Sequence, residues 1–180
     1  MLDTSDMPRP RPTSLAPEPE PEPERLERPE RPERRECRAA AEQALRDDPV
    51  AWLSSVQSDG RPHLVPVWFH WDGERIVAFS KPGARKVDNL RDQPRVMLAV
   101  GTPGPEFDVE LIEATAELPE ARATELMPDG FGAKYRELLR RAGLTVQRFA
   151  EVYSQPIVLR PTRFLGYGGR GWETSGPLVT

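Results

Sequence analysis

The chain has 180 residues, enough for one domain or one domain with a tail, and a formal net charge of −4. Beyond residue 36, acids and bases almost balance, so charge gives no reason to expect a nucleic acid or a membrane as a partner. The one cysteine, Cys37, excludes a disulfide framework and a cysteine-based metal site. With neither a membrane-spanning apolar run nor a signal-peptide core in the sequence, we expect a cytoplasmic protein.

Residues 1–36 differ in composition from the rest of the chain. They hold nine of the 21 prolines together with ten acidic residues and seven arginines. Proline removes backbone donors, and alternating charge leaves little apolar surface to bury. We therefore predict an extended, disordered tail over 1–36 and a folded domain over 37–180.

The folded part opens with a short helix and a hairpin. Alanines and Leu45 predict an amphipathic helix over 37–48. A strand over 50–57, a turn at Asp59-Gly60 and a second strand over 62–71 follow. The second strand alternates between two largely apolar faces, so we expect both faces to be covered, one by the protein core and the other by a ring-shaped ligand or a second subunit. One face holds Val65, Val67, Phe69 and Trp71, and the other holds Leu64, Pro66, Trp68 and His70.

The remaining pattern adds four strands. They are predicted over 74–80, 96–100, 107–118 and 156–167, with a glycine- and proline-rich loop at 101–105. Helical spacing occurs over 120–127, 131–142 and 145–153. Six strands joined mostly by hairpins predict a mainly β, α+β fold: a six-stranded antiparallel barrel with helices packed outside.

The third strand leads into a candidate anion site, residues 79–90 (FSKPGARKVDNL). Pro82 and Gly83 end the strand, and a helix follows whose buried stripe contains Val87 and Leu90. Free backbone N–H groups and the positive end of the helix dipole make such a turn suitable for an anion. On spacing alone, a solvated basic helix start explains the same residues.

Other kinds of site are poorly supported by the sequence. His63 and His70 fall on opposite faces of one strand, so they cannot ligate one metal ion, and we expect no metal site. The serines at 54 and 55 lack the context of a hydrolase nucleophile. Neither the P-loop nor the dinucleotide-binding glycine pattern occurs after a strand. A redox enzyme remains possible, because a cofactor can carry the chemistry while the protein orients it.

The 79–90 segment resembles the phosphate-binding segment of the pyridoxamine 5'-phosphate oxidase-like, split β-barrel flavoprotein superfamily. The flanking sequences are similar too. Residues 52–56 (WLSSV) and 60–63 (GRPH) resemble its first hairpin, and 66–69 (PVWF) resemble its second strand. Residues 94–96 (PRV) resemble the start of the strand that follows the helix. Among the branches, the chain looks most like actinobacterial enzymes that use the deazaflavin coenzyme F420. The similarity covers about residues 37–171.

The resemblance implies a cofactor site and a homodimer. The phosphate tail of the deazaflavin would contact the side chains of Ser80, Lys81, Arg85, Lys86 and Asn89. Its ring would lie along the backbone of Pro66, Val67 and Trp68. Trp68, His70 and residues near Tyr167 and Trp172 would wall a substrate pocket shared between two subunits. The alternative for these aromatic residues is core packing or dimer contact.

The activity that the resemblance implies is hydride transfer from reduced deazaflavin to a small unsaturated or quinone-like acceptor. Two alternatives belong to the same superfamily. One is an FMN-dependent, oxidase-like enzyme, and the other is a non-enzymatic flavin- or haem-binding protein. The sequence identifies no catalytic residue, because no acid, base or nucleophile stands out from the pattern.

Overall fold

The computed structural model describes residues 32–101 and 109–167. Within these ranges seven strands form one antiparallel sheet, in the order β2-β1-β5-β6-β7-β4-β3. The strands are β1 (Ala51–Val56), β2 (Pro62–Val67), β3 (Phe69–Trp71), β4 (Ile76–Ser80), β5 (Arg95–Val100), β6 (Val109–Glu117) and β7 (Gln155–Tyr167). The predicted positions of Trp172 and of most of the 101–105 loop lie outside the described residues.

The sheet is curled because its two edge strands are consecutive in the chain. β2 pairs with β1, β3 pairs with β4, and Trp68 alone separates β2 from β3. The strand predicted over 62–71 therefore changes partner at Trp68, and the sheet closes on itself as a split barrel. This partner change is the difference between the six strands predicted and the seven observed.

Six helices accompany the strands within the described ranges. α1 (Pro32–Asp47) begins before the boundary predicted at residue 36, and α2 (Arg85–Asp92) follows β4. The four short helices between β6 and β7 are α3 (Ala123–Leu126), α4 (Phe131–Lys134), α5 (Arg136–Arg141) and α6 (Val146–Val152). None of the helices in the described part is both long and apolar enough to cross a membrane.

Two apolar clusters hold these elements together. The barrel interior contains inward-facing side chains of all seven strands together with residues of α1 and α2, among them Leu45 and Leu90. The second cluster joins the outer face of β4 to the helices α3–α6. β4 is therefore buried on both faces: Ile76 and Ala78 face the barrel, whereas Val77 and Phe79 face the helices. The prediction of helices packed outside the barrel is confirmed.

The outer face of β1 and β2 lies on the other side of the barrel wall and has no helix over it in the described chain. Trp52, Val56 and Leu64 are 47%, 40% and 60% exposed there. In the ladder Trp52 lies opposite Pro66 and Val56 opposite Pro62, whereas Leu64 lies opposite Ser54. This part of the face is exposed in the single chain, and its cover by a flavin ring or a second subunit stays a prediction.

Candidate cofactor site

The candidate site is built where β4 ends and α2 begins. β4 ends at Ser80, and a turn carrying Gly83 leads to Arg85 at the start of the helix, as the sequence predicted. Ala84 occupies the N-cap position, and its side chain cannot cap the helix. A Cβ atom at Gly83 would meet nothing within 4 Å, so the space in front of the turn is open. First-turn N–H groups without a side-chain cap, facing open space, are the backbone part of an anion site.

Three cations surround this helix start. The guanidinium of Arg85 donates to Gln57 Oε1 at 3.2 Å, the ammonium of Lys86 donates to Ser80 Oγ at 3.3 Å, and that of Lys81 lies 5.9 Å from the centre of the Tyr153 ring. Within residues 32–101 and 109–167, none of the three forms an ion pair with a carboxylate. Their charges therefore add to the positive end of the helix dipole without a direct carboxylate contact, although Asp88 lies in the same first turn.

Lys86 is the least solvated of the three cations. Its side chain is half-buried, and its ammonium has a neutral hydroxyl as its hydrogen-bond partner. Burial lowers the pKa of Lys86 below its ordinary value, because the charged form loses hydration without gaining a counter-charge. An anion at the helix start would supply that missing charge.

Ser80 and Asn89 have little surface to offer a ligand. Ser80 is 1% exposed, and its hydroxyl donates to the carbonyl of Lys81 while it accepts from Lys86. Asn89 is 5% exposed, and its amide donates to Ser55 Oγ at 2.9 Å. Both side chains thus brace the site in the structure, and their predicted direct contact with a phosphate stays a prediction.

Pro66, Val67 and Trp68 lie where β2 passes into β3. Pro66 is exposed, whereas the Val67 side chain is buried in the barrel, so only its backbone is available to a ring-shaped ligand. The Trp68 indole packs within the subunit: it stacks on Tyr135 at 4.7 Å and on Phe149 at 5.3 Å between ring centres. The sequence left this indole either as a wall of the substrate pocket or in core packing or a dimer contact. Core packing is what the structure shows.

His70 lies away from α2, on the face of β3 that meets the helices. Its Nδ1 atom is buried without a hydrogen-bond partner, and its ring fills the space beside Gly130, where an added Cβ would lie 2.6 Å from Cε1. Burial, followed by the nearby charge of Lys134, lowers the pKa of His70. His70 thus behaves as a neutral packing residue in this chain.

Sequence reasoning missed two polar residues that shape this region. Ser55 follows Ala51 and Leu53 on the inward face of β1, and a polar residue at an inward position was the available signal. Tyr135 falls in the helical spacing predicted over 131–142, yet its hydroxyl binds backbone groups at Pro49 and Phe69. No sequence signal marks that contact, because it joins residues far apart in the chain.

The described residues show no cluster of three or more histidine, cysteine, aspartate or glutamate side chains that could hold a metal ion. Among them, the two histidines make separate contacts: His63 meets Ser55, whereas His70 packs against Gly130. The candidate site is therefore a group of three cations beside an apolar sheet face. We call this group, Lys81, Arg85 and Lys86, the cationic cradle.

Comparison with solved structures gives the same fold at low sequence identity. A conserved hypothetical protein from Mycobacterium tuberculosis is 23% identical, with a TM-score of 0.58 over 72% of this chain and 84% of its own. A Listeria innocua protein described as a candidate pyridoxamine 5'-phosphate oxidase is 20% identical, with a TM-score of 0.53 over 71% and 95%. A protein described as an F420 reductase is 27% identical, with a TM-score of 0.49 over 68% and 94%.

The family comparison covers most of the described domain. No curated protein sequence matches the chain. Residues 37–159, from α1 into β7, match the family described as pyridoxamine 5'-phosphate oxidase. This range contains the helix start with its cations and both strands that meet at Trp68. The chain therefore belongs to the pyridoxamine 5'-phosphate oxidase family.

Proposed function

We propose that this protein is an oxidoreductase that binds the deazaflavin coenzyme F420 and transfers hydride to a small unsaturated or quinone-like acceptor. The observation that carries the cofactor part is the group of three cations, Lys81, Arg85 and Lys86, around an uncapped helix start without carboxylate partners. The choice of deazaflavin rests on the sequence resemblance to the actinobacterial branch of the family.

The electrostatic argument favours a phosphate-bearing ligand. Cations in the first turn of a helix are disfavoured by the dipole, and a half-buried ammonium loses hydration as well. A phosphate would reverse both effects, because each charge-assisted hydrogen bond contributes about 1.5–3 kcal/mol. Lys86 and the first-turn N–H groups would hold the phosphate, with Lys81 and Arg85 at its rim.

The chain's own part in the reaction would be to hold and orient. When bound, a reduced deazaflavin supplies a hydride, so the protein does not need its own acid, base or metal for that step. The backbone from Pro66 to Trp68 would support the ring, and the stacking of Trp68 on Tyr135 and Phe149 keeps that backbone rigid. The exposed apolar face of β1 and β2 would exclude water from the ring's edge.

We also propose that two copies associate through this exposed face. Trp52, Val56 and Leu64 form a strip that would remain in water in a single chain, beside the turn where β2 meets β3. An apolar strip of this kind favours an isologous contact between identical subunits. The second subunit would then complete the pocket over the cofactor ring.

The FMN-dependent alternative uses the same cationic cradle, since FMN also carries a phosphate on its ribityl chain. Spectra and titrations separate the candidates. The purified full chain would be examined for absorbance and titrated with F420 and with FMN while cofactor fluorescence is followed.

Tighter binding of F420 than of FMN supports the proposal. Tighter binding of FMN than of F420 supports the flavin-dependent alternative instead. A haem Soret band with no affinity for either cofactor would identify a binding protein and overturn the oxidoreductase proposal. Turnover is then assayed with reduced deazaflavin and a panel of quinones and enones.

A further inference from the structure

A chain of polar contacts links the barrel to α2. Asn89 Nδ2 on α2 donates to Ser55 Oγ on β1 at 2.9 Å, and Ser55 Oγ lies 3.4 Å from His63 Nδ1 on β2. Ser55 and Asn89 are 1% and 5% exposed, so both polar groups depend on partners inside the protein. His63 is half-exposed and forms the outer end of the chain.

The direction of these hydrogen bonds follows from counting hydrogens. An amide nitrogen can only donate, so Ser55 Oγ accepts from Asn89. The buried Ser55 hydroxyl hydrogen then needs an acceptor of its own, and His63 Nδ1 is the one that the described residues provide. A nitrogen that accepts carries no hydrogen, so this hydrogen-bond pattern requires the tautomer of His63 with its hydrogen on Nε2.

The relay ends on the helix that carries the cations. Asn89 lies three residues after Lys86 and four after Arg85, so its position fixes the first turn of α2. The other buried side chains of α2 are Val87 and Leu90. Their apolar contacts hold the helix against the barrel, but such contacts are non-directional and do not fix the rotation of the helix about its axis. The bond from Asn89 to Ser55 is a buried directional contact that sets the rotation of the helix.

We propose that His63, Ser55 and Asn89 form a directional polar relay that fixes α2 on the barrel and so places Lys86 and Arg85 for an anion. Ser55 and His63 are thus positioning residues for the site. The inference rests on the proposed function in one respect only, which is that the anion is taken to be the cofactor's phosphate.

The experiment compares variants of the full chain that break the relay with variants that preserve it. Ser55→Ala removes the acceptor of Asn89, and His63→Leu removes the acceptor of Ser55. His63→Asn is the rescue variant, because its carbonyl oxygen can replace Nδ1 as an acceptor. Thr124→Ala is the control, since it removes a hydroxyl at an exposed position of α3, outside the relay and the proposed subunit contact.

Affinity is measured for F420, FMN and inorganic pyrophosphate. Ser55→Ala and His63→Leu should weaken binding of the probe that the wild type prefers by roughly five- to tenfold, the effect of losing about one hydrogen bond. His63→Asn and Thr124→Ala should bind as the wild type does. Thermal melting identifies a variant that fails to fold, and His63→Leu, at a half-exposed position, is the second test should Ser55→Ala do so.

A nitrogen NMR spectrum of the imidazoles tests the hydrogen count directly. The chain has two histidines, so a His70→Gln spectrum assigns both rings. We expect the Nε2–H form at His63 and a changed His63 signal in Ser55→Ala, with His70 unaffected. A hydrogen on Nδ1, or wild-type affinity in both relay-breaking variants, overturns the relay.

The outcomes also separate the relay from the proposed function. If the wild type binds neither F420 nor FMN, the cofactor proposal fails, and pyrophosphate affinity then decides whether the relay positions an anion site. If pyrophosphate is not bound either, the positioning role is overturned as well. If the cofactor binds and the relay variants bind it equally well, the proposed function stands without the relay.

Discussion

The hydroxyl oxygen of Tyr135 lies 2.7 Å from the backbone nitrogen of Phe69 and accepts its hydrogen. The same oxygen lies 2.8 Å from the carbonyl oxygens of Phe69 and Pro49, either of which can accept its single hydrogen. Tyr135 has no exposed surface, and burial raises the pKa of its phenol, so the hydroxyl stays neutral and remains a donor. One side chain thereby satisfies backbone groups where the second predicted strand changes partner.

This contact predicts a large stability loss for Tyr135→Phe. The substitution keeps the ring that stacks on Trp68 but removes the hydroxyl that accepts from the buried N–H of Phe69 and can donate to the part-buried carbonyl of Pro49. We expect the free energy of unfolding to fall by about 1–3 kcal/mol, measured by urea denaturation. Tyr153→Phe is the control, because the Tyr153 hydroxyl makes no hydrogen bond within the described residues. Equal midpoints for the two variants would show that the hydroxyl contributes nothing.

Lys86→Ala tests the cationic cradle. Removing this ammonium should raise the dissociation constant of the preferred cofactor roughly ten- to a hundredfold, the loss of one charge-assisted bond. The cofactor-free protein should keep its melting temperature or gain slightly, because a desolvated cation leaves the positive end of a helix dipole. Fluorescence titration and thermal melting measure the two effects.

Arg91→Ala is the matched control for Lys86→Ala. Arg91 lies in the last turn of the same helix and pairs with Asp88, so its loss should leave cofactor affinity unchanged. Unchanged affinity in Lys86→Ala would return the motif to an ordinary basic helix start. An equal loss in both variants would indicate a general charge effect and not a phosphate contact.

Lys134 predicts a pH dependence of stability. Its ammonium lies 3.8 Å from the centre of the Phe69 ring and donates to the carbonyl of Leu45 near the end of α1. Burial lowers the pKa of Lys134 from 10.5 to about 8. Between these two pH values the unfolded chain holds a proton that the folded chain has released, so stability rises with pH in this window.

The measurement compares the wild type with Lys134→Met by urea denaturation at several pH values. The wild type should gain stability relative to the variant as pH rises from about 8 toward 10.5, with no relative change below that window. Lys81→Met is the control for replacing an exposed lysine by methionine. A wild-type curve parallel to that of Lys134→Met would contradict the pKa shift.

Leu64→Glu tests the proposed dimer. Leu64 is 60% exposed in the single chain, so a glutamate there should leave the fold intact while placing a charge in the subunit contact. Sedimentation equilibrium should give a dimer for the wild type and a monomer near 20.3 kDa for the variant. Gln147→Glu adds the same charge on the exposed side of α6 and should remain dimeric. A wild type that is monomeric at all concentrations would overturn both the contact and the shared pocket.

Local signals in the sequence predicted most elements of the barrel. An aspartate-glycine pair stands at the turn between β1 and β2 and again at the turn between β3 and β4. Gly60 and Gly73 have φ values of 84° and 101°, in the left-handed region that favours glycine. The turn after β4 and the helix start at Arg85 also lie where the pattern placed them. Such features depend on a few adjacent residues, so they can be read without knowing the partner of each strand.

The sequence also determined that Lys81, Arg85 and Lys86 lie near one another, because they share one turn of chain. The tertiary structure alone decided that Trp68 divides a strand, since its neighbours pair with β1 on one side and β4 on the other. It also decided that Asn89 faces Ser55, and that the Trp68 indole is covered by Phe149 instead of facing outward. Each of these outcomes depends on which distant segment packs best against the same apolar or polar surface. The alternation of residues along a single strand does not identify that segment.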